Sequence, residues 1–322
     1  MDDRKLFVSS HAPYWHNGSS VSSKSYSIIL AALPAVVVGI YQYGVPAVKV
    51  VTFSVSCAML WELLMNFATR RSVSIGDGNA AVIGLLFAML LPATTPWWAV
   101  LVGTFVAVVI GKQIFGGLGC NPLNPTLVAI AIMTLSWKGL LDFNQALVDY
   151  DLGFPMVYPL AAVKSFGTSV VTNYSNSGLL MAQQAGGVGT AFGLGLIIGG
   201  LYLMLRGHIR WEISLSFLAG IFVTAYIFNI SDPDKYANPI FHMLTGYTLI
   251  GAFFLATEDS SSPVGFVPML LYGAGAAVLT VLIRNIGAFV DGVVLAILIM
   301  NVANPLLDKI RPKAMGKGIE HA

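Results

Sequence analysis

The sequence predicts an all-α, polytopic integral membrane protein of about ten transmembrane helices, with a repeat of inverted topology and interrupted helices. Three observations predict it. Hydrophobic residues make up 56% of the 322 and charged residues 10%, with a mean hydropathy of +0.77; soluble domains carry about 25% charge and could not cover so much apolar surface. Apolar runs close to the ~20 residues that a bilayer core demands recur along the whole chain. Several of these runs are punctuated by Gly, Pro, Asn and Asp, most densely from Asp77 to Pro125. Non-helical backbone at membrane depth must be buried in protein or line a wet cavity, because lipid offers it no hydrogen-bond partners. That stretch is therefore expected to line the functional part of the molecule.

In chain order, residues 1–25 form a polar N-terminal arm without the pattern of a cleavable signal peptide. Spans are expected near 26–44, 47–68, 76–92, 97–113 and 123–137, a first membrane half from 26 to 137. Residues 138–186 are the one long non-apolar segment, with Asp142, Asp149 and Asp151. A loop of that size between spans is more often functional than not. A second half, 187–306, holds spans near 187–205, 211–229, 240–256, 267–284 and 288–306, and 307–322 is a basic tail. Arg70 and Arg71, Arg206 and Arg210, and Lys309, Arg311, Lys313 and Lys317 follow even-numbered spans. The bias of Lys and Arg toward the cytoplasm then puts both termini inside and 138–186 outside. Arg284 falls on the opposite side of this scheme.

Composition and motifs also exclude classes. A net charge of +2 with no basic run gives no footprint for nucleic acid. Cys57 and Cys120 lie in or beside apolar runs and read as packing residues. There is no His/Cys ligand cluster, Walker-type loop or HExxH, so no metal is expected. The six tryptophans fall mostly near span ends, where an aromatic belt contacts membrane lipid. Asp77-Gly78 opens an apolar run closed by Pro92, and Asp291-Gly292 opens another closed by Asn304-Pro305. By the assigned topology these runs point in opposite directions, as in an inverted repeat with broken helices near the midplane. Asp77, Asp291 and Glu62 lie within spans and Glu258-Asp259 just after the eighth; acids within or beside a span are candidates for function, Asp77 and Asp291 for an ion path, with a helix-capping role as the alternative. Lys112 reads as a snorkelling lysine or as the neutralising partner of a phosphate or carboxylate.

Over nearly its whole length the chain resembles the NqrB/RnfD family of membrane subunits, and its Rnf branch by length. The resemblance rests on Ser9-Ser10-His11, Asp77-Gly78-Asn79-Ala80-Ala81, Leu90–Trp98, Gly111-Lys112-Gln113 and GGLGCNPLNP at Gly116–Pro125. It continues through Gly251–Pro263, Leu279–Arg284 and Asp291–Asp308. It implies a subunit of an Rnf-type complex in the inner (plasma) membrane that moves Na⁺ or H⁺ while electrons pass between ferredoxin and NAD-linked partners. It also implies FMN, esterified through its phosphate to a threonine on the non-cytoplasmic side, with a second flavin such as riboflavin as a further candidate. Asp77, Gly78, Asn121 and Asn124 are the implied flavin contacts, and Asp77 and Asp291 the implied ion path.

The attachment stretch of the family, roughly Asp-x-x-Ser-Gly-Ala-Thr-Pro-Leu, has no intact copy. One register sets Tyr158-Pro159-Leu160 on Thr-Pro-Leu and replaces the threonine by tyrosine. The other sets Ser165-Phe166-Gly167-Thr168 on Ser-Gly-Ala-Thr but lacks the upstream acid and the Pro-Leu. Thr168 is then the candidate for attachment, with Thr172 behind it. Thr190 also stands where the family usually carries an acid. A non-redox transporter or scaffold of the same fold is the alternative to the redox subunit.

Overall fold

The computed structural model describes residues 20–310. Ser9-Ser10-His11 and the tail cations Arg311, Lys313 and Lys317 lie outside them. The described chain is helical, with no strand.

Helix α1, Val21–Tyr43, begins where Ser20 Oγ accepts the Ser23 N–H, and it ends at Gly44, whose φ of 67° breaks the helical path. That one residue turns the chain into α2, Val45–Ala68, with a proline in its first turn. Two shorter elements follow: α3, Asn79–Leu90, and α4, Trp97–Phe105, which continues as a π-helix over Val106–Gln113. Helix α5, Pro125–Ser136, closes the first half. Residues 138–186 carry only short pieces, α6 (Phe143–Ala146), α7 (Pro159–Phe166) and α8 (Asn176–Leu180). The second half is α9 (Gly193–Leu205), α10 (Trp211–Ser231), α11 (Pro239–Leu244), and α12 (Thr248–Ile250) running into a π-helix at Gly251–Leu255. It ends with α13 (Phe266–Asn285) and α14 (Val293–Leu307).

All ten predicted spans thus correspond to helical segments. Among the described residues four, α1, α2, α10 and α13, are long and apolar enough to cross a membrane by themselves. The 12 residues of α3 or α5 reach only about 18 Å, against a ~30 Å hydrocarbon core. Such part-helices have ends at membrane depth, and protein must satisfy those ends. It does so for α3. The carbonyls of Met89, Leu90 and Leu91 accept from Gly189 N, the Tyr247 hydroxyl and Val188 N. The 186–189 run reads Gly-Gly-Val-Gly for this reason, since a Cβ on Gly187 would stand 2.5 Å from Met89 O.

Each half contributes five elements, counting α11 and α12 as one. The second element packs on the third and fourth in both halves: α2 on α3 and α4, α10 on α11 and α13. Between the halves, first meets first and fifth meets fifth, α1 on α9 and α5 on α14. An odd number of elements per half leaves the second running opposite to the first, as an inverted repeat requires. The expected pairing of Asp77 with Asp291 as repeat equivalents does not hold, however. Asp291 opens the fifth element and so stands opposite Asn124, which opens α5. Asp77 precedes the third element and stands opposite Asn238. Each fifth-element side chain accepts the backbone N–H two residues on, Asn124 Oδ1 from Thr126 N as the N-cap of α5 and Asp291 Oδ1 from Val293 N, one residue before the N-cap Gly292 of α14.

Candidate functional site

A buried cation ends the fourth element of each half, and each is held by an acid. Lys112, at the end of the first π-helix, is 1% exposed and lies 2.9 Å from Glu62 Oε1 on α2. The same oxygen accepts from Ser74 Oγ at 2.8 Å and Gln113 Nε2 at 3.4 Å, while Glu62 Oε2 has no partner among the described residues. Lys112 therefore neutralises a carboxylate; it does not snorkel. Its counterpart Arg284, at the end of α13, is 4% exposed and lies 2.9 Å from Asp291 Oδ1. Being buried and paired, Arg284 is not a loop charge, which explains why it departs from the charge bias of the span ends.

Beside each ion pair lies a cavity. The first, about 280 Å³, opens at the N-terminal end of α5. Its polar lining includes Lys24, Asn79, Lys112, Asn121, Asn124 and Glu258, and Phe253 and Phe254 of the second π-helix supply aromatic surface. Both π-helices thus end on this cavity, where their wider turns set side chains off the regular α-helical face. The Asn-Pro-Leu-Asn-Pro run joins the two halves here. Asn121 Nδ2 donates to Leu123 O at 3.0 Å and to Glu258 Oε1 at 3.2 Å, and Asn124 Nδ2 donates to Leu255 O at 2.9 Å. Glu258 is held in turn by Ser261 N at 3.0 Å. Asp259 pairs with Lys24.

The second cavity, about 310 Å³, lies at the other end of α5, where Thr134 and Leu135 meet the N-terminus of α14. Phe143, Tyr158, Tyr247 and Phe289 give it aromatic walls, and Asn144, Ser165 and Asp291 give it polar ones. Asp291 organises this wall. Its Oδ2 accepts Tyr247 N at 2.7 Å and the Tyr158 hydroxyl at 3.3 Å, and its Oδ1 accepts from Arg284 and Val293 N. Gly246, with φ of 69°, lets the chain pass so close; a Cβ there would stand 2.4 Å from Asp291 Oδ2. Tyr158 precedes the Pro159 that starts α7, its backbone N–H donates to Asn144 Oδ1 at 2.7 Å, and its ring lies 4.8 Å from that of Phe143. Burial, then the Asp291 charge, pushes the Tyr158 phenol well above its ordinary pKa, so it is a donor and not a phenolate.

The structure distributes the sequence-derived candidates unevenly. Asn121 and Asn124 line the first cavity and Asp291 the second. Asp77 and Gly78 line neither: Asp77 Oδ1 caps Asn79 N at 2.8 Å, and Gly78 forms a left-handed turn against Ser25. Thr168 lines neither, and its hydroxyl donates to Asp234 O at 2.7 Å. Thr172 bonds within its own turn, to Ser169 O. Thr190 is buried and donates to Gly187 O. Sequence reasoning named Glu62 and Lys112 but not as a pair, and it missed Asn144, Phe143 and Tyr247. The two buried charges were the available signal, since a lysine and a glutamate inside apolar runs call for each other.

The fold and these sites define a polytopic membrane protein of two repeated halves with a cavity at each end. The chain belongs to the NQR2, RnfD, RnfE family, whose model matches residues 8–316. It is 34% identical to the D subunit of the Na(+)-translocating ferredoxin:NAD(+) oxidoreductase complex of Acetobacterium woodii, over 96% of this chain and 94% of that one. It is 30% identical to the D subunit of the proton-translocating ferredoxin:NAD(+) oxidoreductase complex of Clostridium ljungdahlii, over 95% of each. With the D subunit of the ion-translocating oxidoreductase complex of Pectobacterium atrosepticum it shares 31% identity, over 95% of this chain and 97% of the relative.

Proposed function

We propose that the chain is the D-type membrane subunit of an ion-translocating oxidoreductase complex, working with the other subunits of that complex between ferredoxin and NAD-linked partners, and that its two cavities are non-covalent flavin sites. The names of relatives covering nearly the whole chain support the first part. The pair of cavities supports the second. Each sits at one end of α5, each joins aromatic walls to a few fixed polar groups, and each has a buried cation–carboxylate pair beside it. Concave sites of about 300 Å³ and more, mostly apolar with few polar anchors, are the usual form for a small aromatic cofactor. Bound flavin would supply one- or two-electron redox chemistry. In the second cavity Phe143 and Tyr158 supply ring contact, Asn144 and Ser165 supply hydrogen bonds, and the Arg284–Asp291 pair sets the local charge. In the first, Asn121 and Asn124 fix the wall while Lys112 and Glu258 offer opposite charges.

The residues present do not suit an ester at Thr168, which faces Asp234 and not the cavity. At the position aligned with Thr-Pro-Leu, a buried tyrosine holds Asp291 instead. The flavin of this chain is therefore FMN or riboflavin held without a covalent bond. The chain belongs in the inner (plasma) membrane with both termini in the cytoplasm; Arg70, Arg71, Arg206 and Arg210 support that orientation now that Arg284 is accounted for. Residues 138–186, with the second cavity, then face outward.

In-gel flavin fluorescence of the denatured chain tests the covalent question. The expected gel shows none, from the parent or from Thr168→Ala. A band in the parent that Thr168→Ala abolishes would overturn the non-covalent reading.

A further inference from the structure

A third cavity, about 260 Å³, lies on the far side of α7 from the second one. Its polar side chains are Lys164, Lys235, Tyr236, His242, Arg284 and Asn285, and none of the described residues lining it is acidic. Arg284 is already neutralised by Asp291. Among the described residues Lys164 and Lys235 have no acidic partner: Lys164 Nζ donates to the carbonyls of Gly287 and Phe289, at 2.6 and 2.7 Å, and Lys235 lies 5.2 Å from the centre of the Tyr236 ring. Partial burial, and then the neighbouring charge of Lys138, lower the pKa of Lys164.

Two further groups lack partners. His242 is 2% exposed, yet neither of its ring nitrogens has a hydrogen-bond partner among the described residues. Asn285 is half-buried, and its Nδ2, an inaccessible donor, has no partner among the described residues either. Buried polar atoms left this way cost about 1–3 kcal/mol each, and a native chain seldom carries several in one cavity without something to bind them. Two cations, the Asn285 amide and one imidazole N–H gathered around one space, with no carboxylate lining it, favour an acceptor-rich ligand.

We propose that this cavity is an oxyanion site for a phosphate group, carried either by free inorganic phosphate or by the headgroup of an anionic phospholipid. The site is separate from both proposed flavin cavities. Lys164 and Lys235 supply charge at its mouth, and His242 and Asn285 donate from its buried wall.

The test uses the full purified chain in detergent, titrated calorimetrically with inorganic phosphate at constant ionic strength, together with native mass spectrometry from nanodiscs containing phosphatidylglycerol. Lys235→Glu reverses an exposed charge and leaves the core intact, so it is the primary variant; His242→Phe removes the buried donor. Lys49→Glu, an exposed lysine of α2 outside the cavity, is the control. Expected is saturable one-site phosphate binding, weakened about tenfold or more by Lys235→Glu and lost in His242→Phe, with the control unchanged. Phosphate silence with one retained phosphatidylglycerol, lost in Lys235→Glu, assigns the same site to a headgroup. Phosphate binding that Lys235→Glu leaves unchanged would overturn the proposal, and so would the absence of both phosphate heat and retained lipid in the parent.

Discussion

At the scale of single residues, the buried charges separate structure from function. Lys112 and Glu62 are both essentially unexposed, so removing one leaves the other uncompensated in a medium that solvates charge poorly. Lys112→Met should destabilise the detergent-solubilised chain by about 3–5 kcal/mol, and Glu62→Gln in the same molecule should recover part of that loss. Thermal unfolding of the single and double variants measures both effects, and strict additivity would show that the pair is not coupled. Asp77 and Asp291, alike in the sequence, should behave differently. Asparagine can still cap at position 77, so Asp77→Asn should change coupled ion transport little. Asp291→Asn strips the charge partner from Arg284 and should lower both flavin content and transport. Equal loss in the two variants would contradict this division. Gly246→Ala should cost ~2 kcal/mol or more, because it combines a positive φ with a collision on Asp291; an unchanged melting temperature would count against the tight Asp291 wall.

Elements show which features were legible in the sequence and which were not. The ten apolar segments were readable because lipid imposes length and hydropathy locally, and Gly44 and Pro46 mark the α1–α2 corner in three letters. Asn124 was legible as a site residue because it belongs to the polar Asn-Pro-Leu-Asn-Pro punctuation between apolar runs; its role as the cap of α5 came only with the structure. What depends on residues far apart in the chain was not legible. Tyr158 meets Asp291 across 133 positions and Lys112 meets Glu62 across 50, and no local pattern encodes such pairs. The π-helices were hidden as well, since a widened turn preserves an apolar run while rotating its side chains. The break of the eighth span at Gly246 was visible as Thr-Gly-Tyr, but a short Gly interruption inside hydrophobic sequence reads equally well as packing.

For the whole molecule, two halves of opposite sense place similar constructions at both ends of one helix. α5 carries Asn124 into one cavity and Thr134 into the other, so the two proposed flavins would sit at opposite ends of this helix. The symmetry is one of architecture and not of chemistry. One fifth element opens with asparagine and the other with aspartate; one cation is a lysine paired to α2, the other an arginine paired to its own half's fifth element. The two sites should therefore differ in flavin and in potential. Flavin content of the purified full chain, released by acid and counted per polypeptide, tests the central claim most directly. Two releasable flavins per chain, with none left on the denatured protein, is the predicted result. A chain that carries no flavin at all, purified with its partner subunits present, would contradict it.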